Sequence, residues 1–404
     1  MSLTTLLWLE ALIVATLVWS VALAGALWVR ARVPALSDVP DGPIGGRWPS
    51  LSVVVPSRDE AEGVERATLS LLEQDYPSLE IVAVDDRSRD ATGRILDELA
   101  ARHDRLSVVH VRELPEGWLG KNHASHVGAA AASGDWLLFT DGDVVFHPGA
   151  LRRAMSFAST RGLGHLAVVP HLIAPQFLER AFVAAFALLA SLKFQVWMLG
   201  RPRTGAYIGL GAFNLVRRAD YERVGGHRRL AMEVVDDVKL GLVLRRSGVP
   251  QGVLLSGGLV AVRWSRGVLA TARGLLKNSF AGVEWRWGHL LYVQLVVVIL
   301  ALLPAVAALA APLPSLRLLA LVPVALALGL HAGTARSLAG GSGLEGCAYI
   351  LADLALVAVG LWSAASATIT GGIEWRGTRY RLESLRNGCV RERDWPVSSV
   401  VGWE

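Results

Sequence analysis

"LSVVVPSRDEAEGVERATLSLLEQDYPSLEIVAVDD", residues 51–86, reads as strand, helix, strand. Its two ends are short runs rich in Val and Ile, continuous rather than alternating, which is the pattern of strands buried on both faces of a parallel sheet. Residues 61–74 between them carry a helical pattern. Further along, "LSVVHV" (106–111) and "DWLLFTDGD" (135–143) repeat the strand pattern, with helical stretches over 91–103 and 121–132. Strand, helix, strand at this spacing implies βαβ units with right-handed crossovers. In such sheets ligands bind beyond the carboxyl ends of the strands. Polar clusters sit at those ends: Arg58, Asp59 and Glu60 after the first, Asp85 and Asp86 after the second, Asp141 and Asp143 after the fourth. Three clusters on one edge describe a site. The last is the sharpest, because two carboxylates two residues apart repel unless a cation lies between them. An Asx-rich turn would need no such chemistry, so D-x-D alone is weak.

The rest of the chain is unusually apolar, with 52% hydrophobic residues among 404. Residues 11–29, "ALIVATLVWSVALAGALWV", are an uncharged run long enough to cross a bilayer, with no basic segment before them to suggest a cleaved signal. Arg30 and Arg32 follow directly, so the positive-inside rule places residue 30 onward in the cytoplasm. Residues 290–311, 316–333 and 347–369 each approach spanning length, the middle one weakened by Pro323 and His331. Three crossings would carry the tail outside, yet "EWRGTRYRLESLRNGCVRER" holds six arginines and belongs in the cytoplasm. One segment, the middle one by this reading, is then re-entrant or interfacial. The expected layout is a membrane helix within 1–32, a cytoplasmic α/β domain over 50–285, a membrane region over 286–370 and a basic tail over 371–404. "FLERAFVAAFALLASLKFQVWMLG" (177–200) interrupts the domain. A crossing there would split one site across the bilayer, so it is expected to lie at the interface and to give a lipid a route to the site.

A net charge of +5 suits a protein on anionic lipid. No basic stripe with interleaved aromatics argues for nucleic acid. Two cysteines, Cys347 and Cys389, are too few for a disulfide framework or a Cys-based zinc site.

The stretch 53–92, "VVVPSRDEAEGVERATLSLLEQDYPSLEIVAVDDRSRDAT", resembles the opening of the family 2 glycosyltransferases. "ELPEGWLGKNHA" (113–124), "TDGD" (140–143), "GAFNLVRRADYERVGGH" (211–227) and "VVDDVKLG" (234–241) follow in that family's order. "GWLGKNHA", "GLLKNSFAG" (274–282) and "WRGTRY" (375–380) look like the branch of hopanoid-associated and carotenoid-acid glycosyltransferases. The resemblance implies a GT-A fold, Rossmann-like, between one N-terminal and two or three C-terminal membrane helices. The implied donor is a nucleotide diphosphate sugar, UDP-linked, used with Mn2+ or Mg2+.

Carried over position by position, the resemblance puts Pro56, Arg58, Glu60 and Asp86, or its neighbour Asp85, around the nucleoside. Lys121 opens a helix whose N-terminus favours a diphosphate. Asp143 ligates the metal, and Asp141 holds the ribose or a metal-bound water. Asp237 takes the place of the catalytic base, with Asp236 standing where the family has glutamate. Gly211 and Phe213 fall on the acceptor or phosphate side; Arg263, Trp264 and Lys277 suit the same side or, equally, anchoring at the membrane interface. Processive synthases of the family carry Q-x-x-R-W, whereas "VEWRW" (283–287) has Val283 in place of the glutamine. The expectation is therefore inverting transfer of one sugar to a lipid at the cytoplasmic face of the plasma (inner) membrane. Polymer synthesis and a catalytically silent lipid-binding scaffold of the same fold are the alternatives.

Overall fold

The structure is a computed structural model that describes residues 2–42, 46–201, 204–263 and 267–392. The chain divides into two compact units. One comprises Met1–Arg32, Leu172–Trp197 and Trp264–Thr370, the other Val33–His171, Met198–Arg263 and Gly371–Glu404.

The second unit is built on strands β1 (Leu51–Ser57), β2 (Leu79–Asp86), β3 (Leu106–Val111), β4 (Trp136–Phe139), β5 (Val144–Phe146), β6 (His165–Val169), β7 (His171–Leu172), β8 (Asn214–Arg217), β9 (Gln251–Leu255) and β10 (Val260–Val262). Its main sheet has the order β3-β2-β1-β4-β8-β6-β9. β1 runs parallel to β2 and β4, and β2 parallel to β3, as the continuous apolar runs predict. β8 departs from that expectation, lying antiparallel to both β4 and β6. It has only four residues, and the buried Asn214 interrupts its apolar run, so no strand signal stood out. The fold is GT-A-like, with a mixed sheet rich in parallel pairs.

The fourth strand is shorter than the sequence suggests. β4 ends at Phe139, and after the acidic turn the chain enters β5, which pairs antiparallel with β10 in a second, small sheet. The D-x-D turn is therefore anchored by a different sheet at each end. One core unites Val54, Val82, Val84, Leu137 and Phe139 of the main sheet with Ala124 and Ala129 of the helix Gly120–Ala131. It also takes in Leu240, Val243 and Leu244 of the helix Asp236–Arg246. Burying both helices against one apolar cluster fixes where their N-termini emerge, and those N-termini carry Lys121 and the pair Asp236 and Asp237.

Among the described residues, five helices are long and apolar enough to cross a membrane, within Leu3–Arg32, Phe177–Met198, Trp287–Ala310, Pro314–Ala339 and Leu344–Ile369. The helix Pro314–Ala339 is continuous through Pro323, unlike the weakened segment its sequence suggests. Polar ties join these helices: Trp19 Nε1 donates to the Leu300 carbonyl at 3.1 Å, Tyr349 Oη to the Ala301 carbonyl at 3.3 Å, and His331 Nε2 lies 3.4 Å from Asp353 Oδ1.

Residues after the last of these helices belong to the sheet-bearing unit. β11 (Gly372–Trp375) and β12 (Thr378–Arg381) form a hairpin, followed by the short helix Leu382–Asn387. Its turn residues, Arg376 and Gly377, both have positive φ, 49° and 72°. That combination matches the right-handed twist of a tight hairpin.

Asn122 shows how the buried helix is fixed in register. Its side chain is fully buried, and Nδ2 donates to the carbonyls of Leu230, at 2.5 Å, and Glu233, at 2.8 Å. Asn122→Ala leaves both carbonyls unsatisfied and should lower unfolding stability by about 2–3 kcal/mol in a denaturant titration. An unchanged midpoint would show that these bonds contribute nothing net.

Candidate functional site

The two acidic motifs, almost a hundred residues apart in sequence, meet through one lysine and one glycine. Lys121 Nζ lies 2.7 Å from Asp141 Oδ1 and 3.8 Å from Asp236 Oδ1. Gly211 bridges the same groups with its backbone: its N–H donates to Asp237 Oδ2 at 2.7 Å, and its carbonyl accepts from the Asp141 N–H at 3.1 Å. A Cβ at position 211 would sit 2.7 Å from Asp141 Oδ2 and 3.3 Å from Asp237 Oδ2, so a larger residue would push the Asp141 carboxylate aside.

The charges at this point are far from their behaviour in water. Burial opposes the Lys121 ammonium, but Asp141, Asp236 and Asp237 outweigh it and hold the group above the usual lysine range. Burial pushes Asp237 up to about 6, with Asp236 adding to the shift and Lys121 opposing it. Asp143 is pushed up to about 7, again chiefly by burial and then by Asp141 and Glu60. Glu60 itself is raised by burial against the opposing pull of Arg376. Carboxyl groups held up in this way suit a cation with oxygen ligands. Among the described residues no three metal-ligating side chains converge, so Asp141 and Asp143 could hold such an ion only with oxygens from another molecule completing its shell.

At the neighbouring strand ends the predicted nucleoside residues are paired with each other. Asp86 accepts from Arg87 through both oxygens, at 2.7 and 2.9 Å, and Arg58 Nη1 lies 3.8 Å away. Arg87 achieves this in a left-handed conformation, φ 58°, which turns its guanidinium back on its neighbour. Asp85 faces the other way: Oδ1 accepts the Ser88 N–H at 3.2 Å, and Oδ2 lies 3.0 Å from His110 Nδ1. Of the two, Asp86 is on the side of Gly120, where a Cβ would lie 2.5 Å from its Oδ2.

The hairpin β11–β12 closes this edge, which the sequence reading treated as a separate tail. Arg376 pairs with the Glu60 carboxylate, and its Nη1 donates to the Asp59 carbonyl at 3.2 Å. Arg58 Nη1 donates to Thr378 Oγ1 at 3.4 Å, and the Gly120 N–H donates to Tyr380 Oη at 3.2 Å. Arg87, Arg376 and Tyr380 are the site residues that sequence reasoning missed. The "WRGTRY" motif was a signal for the last two, but nothing in its spacing ties it to residues three hundred positions earlier.

The remaining expected residues are placed as follows. Pro56 is half-buried at the end of β1, beside Ser57. Phe213 is fully buried against Phe146, with ring centroids 5.9 Å apart, so it serves the core beneath the site and cannot touch an acceptor. Arg263 is exposed just after β10. Lys277 lies in the other unit, on the helix Val268–Ala281, its Nζ 3.1 Å from Asn278 Oδ1. Trp264 lies outside the described residues.

A mixed sheet rich in parallel pairs, with acids gathered at the carboxyl ends of its central strands, is a GT-A-like arrangement. Residues 52–221 match the model of the Glycosyl transferase family 2 domain. The chain is 27% identical over 238 residues to the 4,4'-diaponeurosporenoate glycosyltransferase of Staphylococcus aureus, covering 58% of this chain and 61% of that one. It is 32% identical over 118 residues to the GalNAc(5)-diNAcBac-PP-undecaprenol beta-1,3-glucosyltransferase of Campylobacter jejuni, covering 29% of this chain and 37% of that one. The alignments thus span less than two thirds of either relative. Among solved structures, a mannosyltransferase from Pyrobaculum calidifontis in complex with GDP-Man and Mn2+ matches with a TM-score of 0.56 at 21% identity, over 89% of this chain and 98% of that one.

Lys121→Met tests the electrostatics of the site. It leaves Asp141, Asp236 and Asp237 without their shared cation. The loss should be about 2–3 kcal/mol near neutrality, below the range for a fully buried pair because Asp141 is 42% exposed. The folded-state value of Asp237 lies above the ordinary 3.8, so its protonation favours the folded state. That contribution is full below about 4 and is lost as pH rises through 6. The deficit in melting temperature should therefore be larger at pH 8 than at pH 5, where protonation replaces the missing cation. An equal deficit at both pH values would contradict the pairing.

Proposed function

We propose that the protein transfers a single sugar, with inversion, from a nucleotide diphosphate donor such as a UDP-sugar to a lipid acceptor at the cytoplasmic face of a membrane. The observation that supports this most directly is the meeting of Asp141 and Asp237 across Gly211, which puts the D-x-D turn and the base candidate on one spot. In this reading Asp237 takes the proton of the acceptor hydroxyl while that oxygen bonds to the anomeric carbon and the bond to the diphosphate breaks. A value near 6 suits a group that must be ionised, yet basic, near neutral pH. If the acceptor is a carboxylate it arrives ionised, and Asp237 contributes less. Lys121 holds Asp141 and Asp236 in place and offers its cation and helix N-terminus to the diphosphate. Asp86 and Arg87 border the base, with Arg58 and Glu60 beside them. Mn2+ or Mg2+ held by Asp143 and Asp141 would offset the charge of the leaving nucleotide. A lipid acceptor fits the five apolar helices and the undecaprenol-linked substrate that names the Campylobacter jejuni relative.

The sheet also limits the membrane topology. β6 precedes the helix Phe177–Phe194 and β8 follows it, yet they are hydrogen-bonded neighbours, so this helix enters and leaves on one side of the membrane. The hairpin after Ile369 likewise pairs with Glu60 and Asp59, so residues 263 and 371 share a side and the chain crosses an even number of times between them. The last of the three C-terminal helices also packs on the helices that precede the first of them. Ala352 packs with Ala181 and Ala185 of the interfacial helix, and Ser363 Oγ accepts from the Phe280 N–H at 3.1 Å. In this reading Trp287–Ala310 and Pro314–Ala339 cross the bilayer and Tyr349–Ile369 does not. In a Cys389→Ser background, Cys347 should react with an impermeant maleimide only from the cytoplasmic side. Labelling from the opposite side would make the middle helix the re-entrant one.

The proposed chemistry is tested by transfer itself. With radiolabelled UDP-glucose or GDP-mannose and a total lipid extract in detergent, the wild type should yield a lipid carrying one sugar. Asp237→Asn should lower the rate by about 100-fold or more while nucleotide binding persists. Transfer at the wild-type rate in the variant would remove Asp237 from the reaction, and a polymeric product would favour processive synthesis.

A further inference from the structure

The chain has only four lysines among its 40 basic residues, and one of them, Lys239, is buried, 2% exposed. So is Glu233, at 1%. They bracket the carboxylate pair, Glu233 three residues before Asp236 and Lys239 two residues after Asp237. Both reach the backbone of the same residue of the C-terminal segment. The Val390 N–H donates to Glu233 Oε2 at 2.9 Å, and Lys239 Nζ donates to the Val390 carbonyl at 2.6 Å. One position along the chain from this grip, Cys389 also hydrogen-bonds Glu233, and two positions along, Glu392 Oε1 accepts from Tyr207 Oη at 2.8 Å. Tyr207 opens the segment whose Gly211 N–H holds Asp237. Val390 itself packs on the core that carries Leu230, Leu240 and Leu244.

Charges this deeply buried are tolerated only with partners. Here a single residue, Val390, supplies a backbone donor to the acid and a backbone acceptor to the base. If that residue leaves, Glu233 and Lys239 lose these hydrogen bonds, and the stretch between them has to rearrange. Asp236 and Asp237 lie on that stretch.

We infer that residues 388–392 act as a latch that positions Asp236 and Asp237 for transfer, with Glu233 and Lys239 as positioning residues that grip the Val390 backbone. The inference rests on the proposed role of Asp237. It gives the segment after the last apolar helix a task in the reaction. The same segment reaches the donor edge through Arg376 and Tyr380, so a single stretch of chain touches both substrate sides of the site.

The test is a comparison of turnover with donor binding in the full-length protein in detergent. The probe is UDP-glucose or GDP-mannose, whichever the wild type consumes, with total lipid extract as acceptor. Val390→Pro removes the N–H given to Glu233, and Lys239→Met removes the cation given to the Val390 carbonyl. Each should lower kcat at least tenfold with donor KM and nucleotide-induced stabilisation within twofold of wild type. Glu233→Gln keeps an oxygen for the Val390 N–H and should retain more than half of kcat, whereas Glu233→Leu should not. A general loss of structure would move KM, nucleotide binding and both Glu233 variants together. If Val390→Pro does not fold, Tyr207→Phe, which removes one hydroxyl, should still lower kcat at least threefold. Wild-type kcat in folded Lys239→Met, or in Tyr207→Phe, overturns the latch. Wild-type kcat in Asp237→Asn instead overturns the reading of the base, so the two failures are told apart.

Discussion

Everything at the site turns on how one ammonium group is shared among carboxylates. Lys121 stands between Asp141 of the D-x-D turn and Asp236 of the downstream pair, close enough to compensate both. Without it, three aspartates would have to be gathered in a poorly hydrated place against their mutual repulsion. With it, the acids can be held close together and still be short of positive charge around Asp143 and Glu60. That remaining shortage is what makes the edge suited to a divalent cation and a diphosphate, whose charges offset each other only where both can bind.

Backbone completes what the lysine begins. Gly211 binds the Asp237 carboxylate with its N–H and the Asp141 N–H with its carbonyl, so one residue of backbone ties the two motifs together. Both helices that carry the charged groups are sunk into one apolar core, which leaves their first turns little freedom. Precision of this kind matters for displacement at an anomeric carbon, where nucleophile, base and leaving group must be aligned together.

The parallel half of the sheet was legible in the sequence because strands buried on both faces leave continuous runs of Val, Ile and Leu, and β1 to β4 fall where those runs lie. The polar residues at their ends were legible for the same reason, since a charged cluster stands out against such a run. What was hidden depends on contacts between distant stretches. The antiparallel β8 is too short and too polar at Asn214 to declare itself. Lys121 suggests a free phosphate ligand by its place at a helix start, and only the fold reveals its partners. Phe213 sits in a motif that looks functional, yet it fills the core. The tail reads as a basic appendage because its arginines are dense, and nothing local shows that Arg376 answers Glu60 or that Tyr380 caps Gly120.

The central claim is that the D-x-D edge binds a nucleotide diphosphate together with a divalent cation. Thermal unfolding in detergent measures this without any choice of acceptor, because a ligand that binds the folded state raises its stability by mass action, about 2.7 kcal/mol at a hundred times Kd. The wild type with UDP or GDP should melt several degrees higher when Mn2+ is present than when it is absent, and Asp143→Ala should lose that metal-dependent rise. No shift with UDP, GDP or dTDP, or a shift of the same size in Asp143→Ala, would contradict the account.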